Sequence, residues 1–231
     1  MAVLLHNLSA RPPRFADLES VTELLVACDI VEDGLSDYTK EDLRLDWQQP
    51  GFKLDKDAWV IVTTKGQFVG YASVWLNTQA SDSLVQADEP DGQIDMYIRV
   101  HPEYVGRGIG TLLLRLAEHR ARSLVQYARP SVRVTLNVSV NSVNLVAGLL
   151  LEREGYTQVR HSCRLLIDSD EYSQHGNGKV DLPLDGQASG GVAQLQKRTG
   201  IYFMRQYDVY EKELRAGGEC CTNKEHGLQL V

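Results

Sequence analysis

Three glycines occupy alternate positions in Val105-Gly106-Arg107-Gly108-Ile109-Gly110-Thr111, directly ahead of the run Leu112-Leu113-Leu114-Arg115-Leu116-Ala117-Glu118. Glycine admits positive φ and removes the Cβ that would hold a ligand away from the main chain. A helix start adds several N–H groups without intrahelical acceptors, together with a partial positive charge. The stretch is therefore a candidate diphosphate cradle made of backbone, with no need for a charged side chain.

Spacing separates the cofactor classes that use such cradles. A Walker A loop follows its last glycine with Lys and Ser or Thr, whereas Gly110 is followed by Thr111 and Leu112. A G-x-G-x-x-G fingerprint counted from Gly106 or Gly108 requires glycine at 111 or 113, and these positions are Thr111 and Leu113. Neither pattern fits.

The elements that must hold this loop follow from periodicity and punctuation. Residues 1–12 read as a first strand ending at Pro12 and Pro13, and Asp17 caps a helix with Leu18, Val21, Leu25 and Cys28 in one stripe. Thr39 and Asp42 form a capping box for a short helix that Pro50 and Gly51 end. Two β-rich runs, 58–64 and 68–76, flank Lys65-Gly66-Gln67 as a hairpin, and 77–92 is a polar loop. Strand 93–100 leads into the glycines and then a long amphipathic helix, 111–128. Strand 132–140, helix 144–155, strand 156–167 and a last strand, 200–214, complete the chain. These elements predict an α/β (α+β) mixed sheet with flanking helices, parallel where the strand–helix–strand unit surrounds the glycines. The expected organisation is one domain over residues 1–214, a mobile Gly/Ser/Asp-rich insertion at 168–199 and a flexible tail at 215–231.

Composition sets outer limits. Apolar residues at 43% and charged residues at 24% exclude disordered and collagen-like chains. A net charge of −7 provides no basic footprint for nucleic acid. No apolar run is long enough to cross a bilayer, and residues 1–14 lack the makings of a secretory signal, so a cytoplasmic location is expected. Cys28, Cys163, Cys220 and Cys221 lack metal spacing and read as reduced thiols. His101 in the V-x-P turn reads as structural, His161 as exposed on a strand, and with no second ligand at metal spacing no metal site is expected.

A strand, V-x-P, then R-G-x-G and a long amphipathic helix resembles motif A of the GNAT superfamily of acyl-CoA N-acyltransferases, with Val105 where Gln or Arg is common. A second block, Asn144-Leu-Val-Ala147-Gly-Leu-Leu150-Leu151-Glu-Arg-Glu-Gly155-Tyr156, resembles the family's N-x-x-A-x-x-L-Y-x-x-x-G-F segment. The order of elements matches over nearly all of residues 1–214, and the segment from Leu150 to Leu165 is similar to the acyltransferase domains related to mycothiol synthase.

The resemblance implies a GNAT-like, mostly antiparallel sheet with a central splayed parallel pair, strands 93–100 and 132–140. Pantetheine of acetyl-CoA would enter between them along the backbone of Ile98, Arg99 and Val100, the diphosphate would rest on Val105 to Thr111 (Val105, Gly106, Arg107, Gly108, Ile109, Gly110, Thr111), and Asn144 would bond the pantetheine arm. The implied reaction is direct acetyl transfer from the cosubstrate acetyl-CoA to a primary amine of a small molecule or peptide, without a metal. The acid on the strand ahead of the glycines is Asp95, the candidate base. The family's tyrosine acid is replaced by Leu151, which leaves unassisted thiolate departure or another donor, Ser139 or Tyr97. Glu32, Asp33 and Asp37 form an acidic loop able to hold a cationic amine. A homodimer is a further expectation, and a non-catalytic acyl-CoA-binding module is the alternative to an enzyme.

Overall fold

The computed structural model describes residues 3–5, 7–36, 38–77, 92–167, 179–184 and 201–218. In chain order the elements are β1 (Val3–Leu5), β2 (Leu8–Arg11), α1 (Leu18–Asp33), α2 (Lys40–Trp47), α3 (Leu54–Asp57), β3 (Ala58–Thr63), β4 (Phe68–Asn77), β5 (Gly92–Val100), α4 (Ile109–Leu124), β6 (Val134–Asn141), α5 (Leu145–Arg153), β7 (Thr157–Ile167), β8 (Lys179–Leu184) and β9 (Ile201–Arg215). They form one sheet in the order β1-β2-β3-β4-β5-β6-β9-β7-β8. Every pairing is antiparallel except β5 with β6, which is parallel, so the expected mixed sheet with a central parallel pair is the observed one.

Helices cover both faces. On one face, Val21, Leu25 and Cys28 of α1 and Leu43 and Trp47 of α2 pack on Val60 and Tyr71. On the other, Leu114, Ala117 and Ala121 of α4 and Leu151 of α5 pack on Ile94, Met96 and the even-numbered residues of β6 from Val134 to Val140. Strand alternation therefore turns the odd-numbered residues of β6 towards the α1 face.

Local details depart from the sequence reading in several places. The first strand is a hairpin of two, turned at Asn7 with φ 73°, a left-handed conformation that asparagine tolerates better than most residues. The four-residue α3 before β3 carried no periodic signal. The glycine-following helix begins at Ile109 rather than Thr111 and passes into a 3₁₀ turn at Val125. Of the 168–199 insertion, Lys179–Leu184 pair along β7 as β8; its other residues lie outside the described ones, as do Asp37, Cys220 and Cys221.

The Thr39–Asp42 capping box forms as expected, but Asp17 does not cap α1. Its carboxylate turns back to Arg11 at 2.6 and 2.9 Å and accepts the Arg14 N–H at 2.7 Å. The Arg11 hydrogen bond is the main reason the Asp17 carboxyl titrates below its ordinary range, against an opposing effect of burial. A carboxyl with a depressed folded pKa contributes stability that is present above its unfolded pKa and lost as pH falls through the folded value. Acid-side denaturation curves of the wild type should therefore show a fall in stability below about pH 4, and Asp17→Asn should flatten it; identical slopes would sink the assignment.

Candidate active site

β5 and β6 begin as a paired ladder and end as a fork. Pairing runs from Gly92 opposite Val134 to Met96 opposite Val138 and stops there, while β5 continues to Val100 against Gly70 of β4 and β6 continues to Asn141 against Tyr207 of β9. The outer neighbours keep both arms extended, so their inner edges face each other across a gap.

Backbone direction within the fork follows from register. The His101 N–H donates to Val69 O at 3.0 Å. With Val100 opposite Gly70, the main-chain groups of Tyr97 and Arg99 therefore turn to β4, and those of Ile98 and Val100 turn into the gap. Ile98 and Val100 thus present a polar inner edge, whereas the main chain of Arg99 faces Tyr71 and its side chain alone is turned to the fork. Inner-edge groups without a strand partner are costly unless something pairs with them. The thiol of Cys28 on α1 meets Val100 O at 3.3 Å, and burial pushes that thiol up to about 12, so it stays a neutral donor at ordinary pH.

The glycine loop continues directly from the β5 arm. His101 caps a single 3₁₀ turn, Pro102–Tyr104, by accepting the Glu103 N–H, which gives it the structural role expected. Gly106 and Gly108 are left-handed, at φ 80° and 79°, and a Cβ on either would meet nothing within 4 Å. Their glycine requirement is thus conformational, and the space above them is open. Gly110 differs: it lies inside the first turn of α4, and a Cβ there would stand 3.0 Å from Leu150 Cδ2. It allows α4 and α5 to approach closely. The first helical bond of α4 is made by Leu112 N to Gly108 O, which leaves the N–H groups of Ile109, Gly110 and Thr111 directed outwards.

α5 starts from the other arm. Asn144 is its N-cap, accepting the Ala147 N–H at 3.1 Å, while its amide donates to Glu32 Oε1 of α1 at 2.6 Å. The two helix starts and the fork thus lie together: a gap edged by the main-chain groups of Ile98 and Val100, ending in a loop of outward N–H groups.

The family model of the acetyltransferase (GNAT) family matches residues 18–146, over half of the chain. The chain belongs to the GNAT acetyltransferase family. Its fold is that of a GCN5-related N-acetyltransferase from Sphaerobacter thermophilus, with TM-score 0.72 at 17% identity over 93% of this chain and 98% of that one. A putative acetyltransferase from Salmonella typhimurium, determined with its cofactor acetyl-CoA, aligns with TM-score 0.56 at 15% identity over 94% of this chain and all of that one. An N-acetyltransferase from Staphylococcus aureus Mu50 aligns with TM-score 0.51 at 14% identity, over 90% and 99% of the two chains. A search of curated proteins finds no match.

The residues of this GNAT acetyltransferase fit an acyl-CoA. Outward N–H groups at a helix start, with open space over Gly106 and Gly108, suit a diphosphate, and the inner edges at Ile98 and Val100 suit an amide-bearing arm laid along them as a strand. Two cations stand at the cradle, Arg107 of the motif itself and Arg153, which motif reading did not weigh. Arg107 lies over the Tyr104 ring at 4.6 Å with a bond to Glu103 O. Arg153, at the end of α5, donates to Thr111 Oγ1 at 3.0 Å. No sequence signal ties Arg153 to the glycines, because only packing at Gly110 and Leu150 brings the end of α5 to the start of α4. An exposed cation beside an anion contributes modestly, so Arg153→Ala should weaken acetyl-CoA binding about 3- to 10-fold, and less in high salt. Calorimetric titrations at two salt concentrations read this directly.

The candidate catalytic side chains divide by height in the fork. Asp95 is half-buried, opposite Trp75 on β4 and Asn137 on β6, one pair before the ladder ends. Ser139 is the first β6 residue past the last pair and is exposed although its strand neighbours are buried, so solvent reaches the fork on the α1 face. Tyr97 lies on that face too, its hydroxyl pushed up to about 12 by burial and hence protonated at neutral pH. Leu151 is buried among core side chains. His161 pairs with Asp208 at 2.7 Å, opposite Val140, on the other face from Arg99. Among the described residues no group of three metal-ligating side chains occurs, and no helix is long and apolar enough to cross a membrane.

Proposed function

We propose that the protein transfers an acetyl group from acetyl-CoA directly to a primary amine of a small molecule or peptide, as a cytoplasmic enzyme related to the acyltransferase domains of mycothiol synthase. The observation that carries this reading is the open β5–β6 fork ending in the glycine loop. Acetyl-CoA supplies the acyl group and a thiol leaving group. Ile98 and Val100 hold the arm through their main chains, the N–H groups from Gly106 to Thr111 hold the diphosphate, and Asn144 turns its amide from Glu32 to the arm. Asp95 takes the proton that the amine loses as its nitrogen bonds to the carbonyl carbon and the carbon–sulfur bond breaks. Ser139, at the vertex where the fork begins, or Tyr97 supplies a hydroxyl to the departing sulfur, the function that Leu151 lacks.

Thiol release from acetyl-CoA with a panel of amines tests the proposal. Amine-dependent release that falls about 100-fold in Asp95→Asn with unchanged acetyl-CoA affinity supports it. One observation favours a second reading: with Leu151 in the core, the tyrosine hydroxyl that the family places there is missing. Tight acetyl-CoA binding without turnover on any amine would establish a non-catalytic acyl-CoA-binding module instead.

A further inference from the structure

The open end of the fork holds an unusual pair of charges. Arg99 is one residue from the end of β5, with its side chain 9% exposed, beneath Asp29 and Glu32 of α1; the Glu32 side chain is 12% exposed. Its Nη2 stands 4.0 Å from Asp29 Oδ1 and 3.9 Å from Glu32 Oε2, beyond hydrogen-bond length in both cases. The carboxylates are fixed from other directions. Ser36 donates to Asp29 Oδ2 at 2.8 Å, and Asn144 donates to Glu32 Oε1 at 2.6 Å. As a result, Arg99 Nε and Glu32 Oε2 are both buried with no hydrogen-bond partner.

One unsatisfied donor and one unsatisfied acceptor in a single buried place define the ligand that completes them. Leaving such groups unpaired costs about 1–3 kcal/mol each, more when charged, so the arrangement favours a molecule that meets both. A guanidinium edge matches a carboxylate, and a free carboxylate oxygen matches an ammonium. Access exists on this side of the sheet, since Ser139, across the fork from Tyr97, is exposed. The site is next to the arm of the fork where the proposed acetyl donor lies.

We propose that the acceptor is a zwitterion of the α-amino-acid class, with its carboxylate on Arg99 and its ammonium on Glu32 Oε2. This rests on the acetyltransferase reading above and narrows its acceptor. In transfer, the ammonium gives up a proton through water to Asp95, its nitrogen bonds to the acetyl carbon, and the carbon–sulfur bond breaks so that CoA leaves as the thiolate. Asn144 couples the two ligands, because turning its amide from Glu32 to the acyl-CoA arm frees Glu32 for the ammonium.

The test compares each common L-amino acid with the amine formed by its decarboxylation, at saturating acetyl-CoA. At least one amino acid should exceed its own amine about 100-fold in kcat/KM, as expected where a site's buried polar groups are left unmatched by the poorer substrate. In Arg99→Gln that ratio should fall below about 5, and Arg99→Lys should restore part of it. Equal kcat/KM for acid and amine in the wild type overturns the proposal without any variant, and so does a ratio that survives in a folded Arg99→Gln. Acetyl-CoA calorimetry separates the two levels. No binding of acetyl-CoA sinks the acetyltransferase reading, whereas binding with transfer confined to amines lacking a carboxylate, or with no transfer to any amino acid, sinks the zwitterion alone.

Discussion

Gly108→Val lowers the affinity for acetyl-CoA about 100-fold, a loss of about 2.7 kcal/mol. The expectation follows from the loop's conformation. Gly108 is the N-cap of α4 at φ 79°, where a residue with a Cβ costs about 1–2 kcal/mol and a β-branched one more. Among the described residues, no atom beyond the glycine's own chain neighbours lies within 4 Å of the new Cβ, so a clash in the free protein does not contribute. The loop relieves its strain by turning, and the N–H groups between Gly106 and Thr111 lose their common direction. Valine then also fills space that the diphosphate needs. Gly108→Ala should show roughly a tenth of the effect on the binding constant, because its strain is smaller and its volume slight. The melting temperature should fall only a few degrees in either variant, as suits 1–2 kcal/mol in a chain of this size. Calorimetry with acetyl-CoA decides the matter, and an unchanged Kd in folded Gly108→Val removes the cradle assignment.

Asp33→Ala destabilises the fold by about 3 kcal/mol and loosens the acceptor side of the fork. Asp33 ends α1, where it accepts from Asn141 Nδ2 on β6 at 2.7 Å and pairs with Arg205 Nε on β9 at 2.8 Å. The Arg205 side chain is nearly inaccessible and also donates to Leu35 O just beyond the helix. Removing the carboxylate takes a close counter-charge from a buried guanidinium, which costs more than an exposed ion pair is worth. The same contacts seat the helix turn that carries Asp29 and Glu32, so the KM for the acceptor should rise together with the loss of stability. Asp33→Asn retains an acceptor for Asn141 and should lose less on both counts. Urea denaturation reads the stability, and a change below about 1 kcal/mol means that water already screens the pair.

These two variants probe features of different legibility. The glycine loop was readable because its cause is local: alternate glycines before an apolar helix favour a left-handed turn at Gly106 and Gly108. The same holds for the Thr39–Asp42 capping box and the hairpin at Gly66, each set by a few adjacent residues. Even there, the three glycines proved unequal. Gly106 and Gly108 are required by φ, and Gly110 by the proximity of Leu150, a residue forty positions away that spacing alone does not reveal.

The sequence by itself determined the main run of strands and helices, the left-handed glycine loop and membership of the GNAT family, because each depends on short-range pattern. Only the tertiary structure decided what occupies the fork. Glu32 meets Asn144 across 112 positions and Asp33 meets Asn141 across 108, contacts created when α1 lies over the end of a sheet whose neighbouring strands come from distant parts of the chain. Strand alternation then decided that Arg99 offers its side chain rather than its backbone, a distinction that depends on the register of β5 against β4. Pairing register and helix seating are long-range properties, fixed by how buried surfaces fit together, and they set the charges of Arg99, Asp29 and Glu32 side by side.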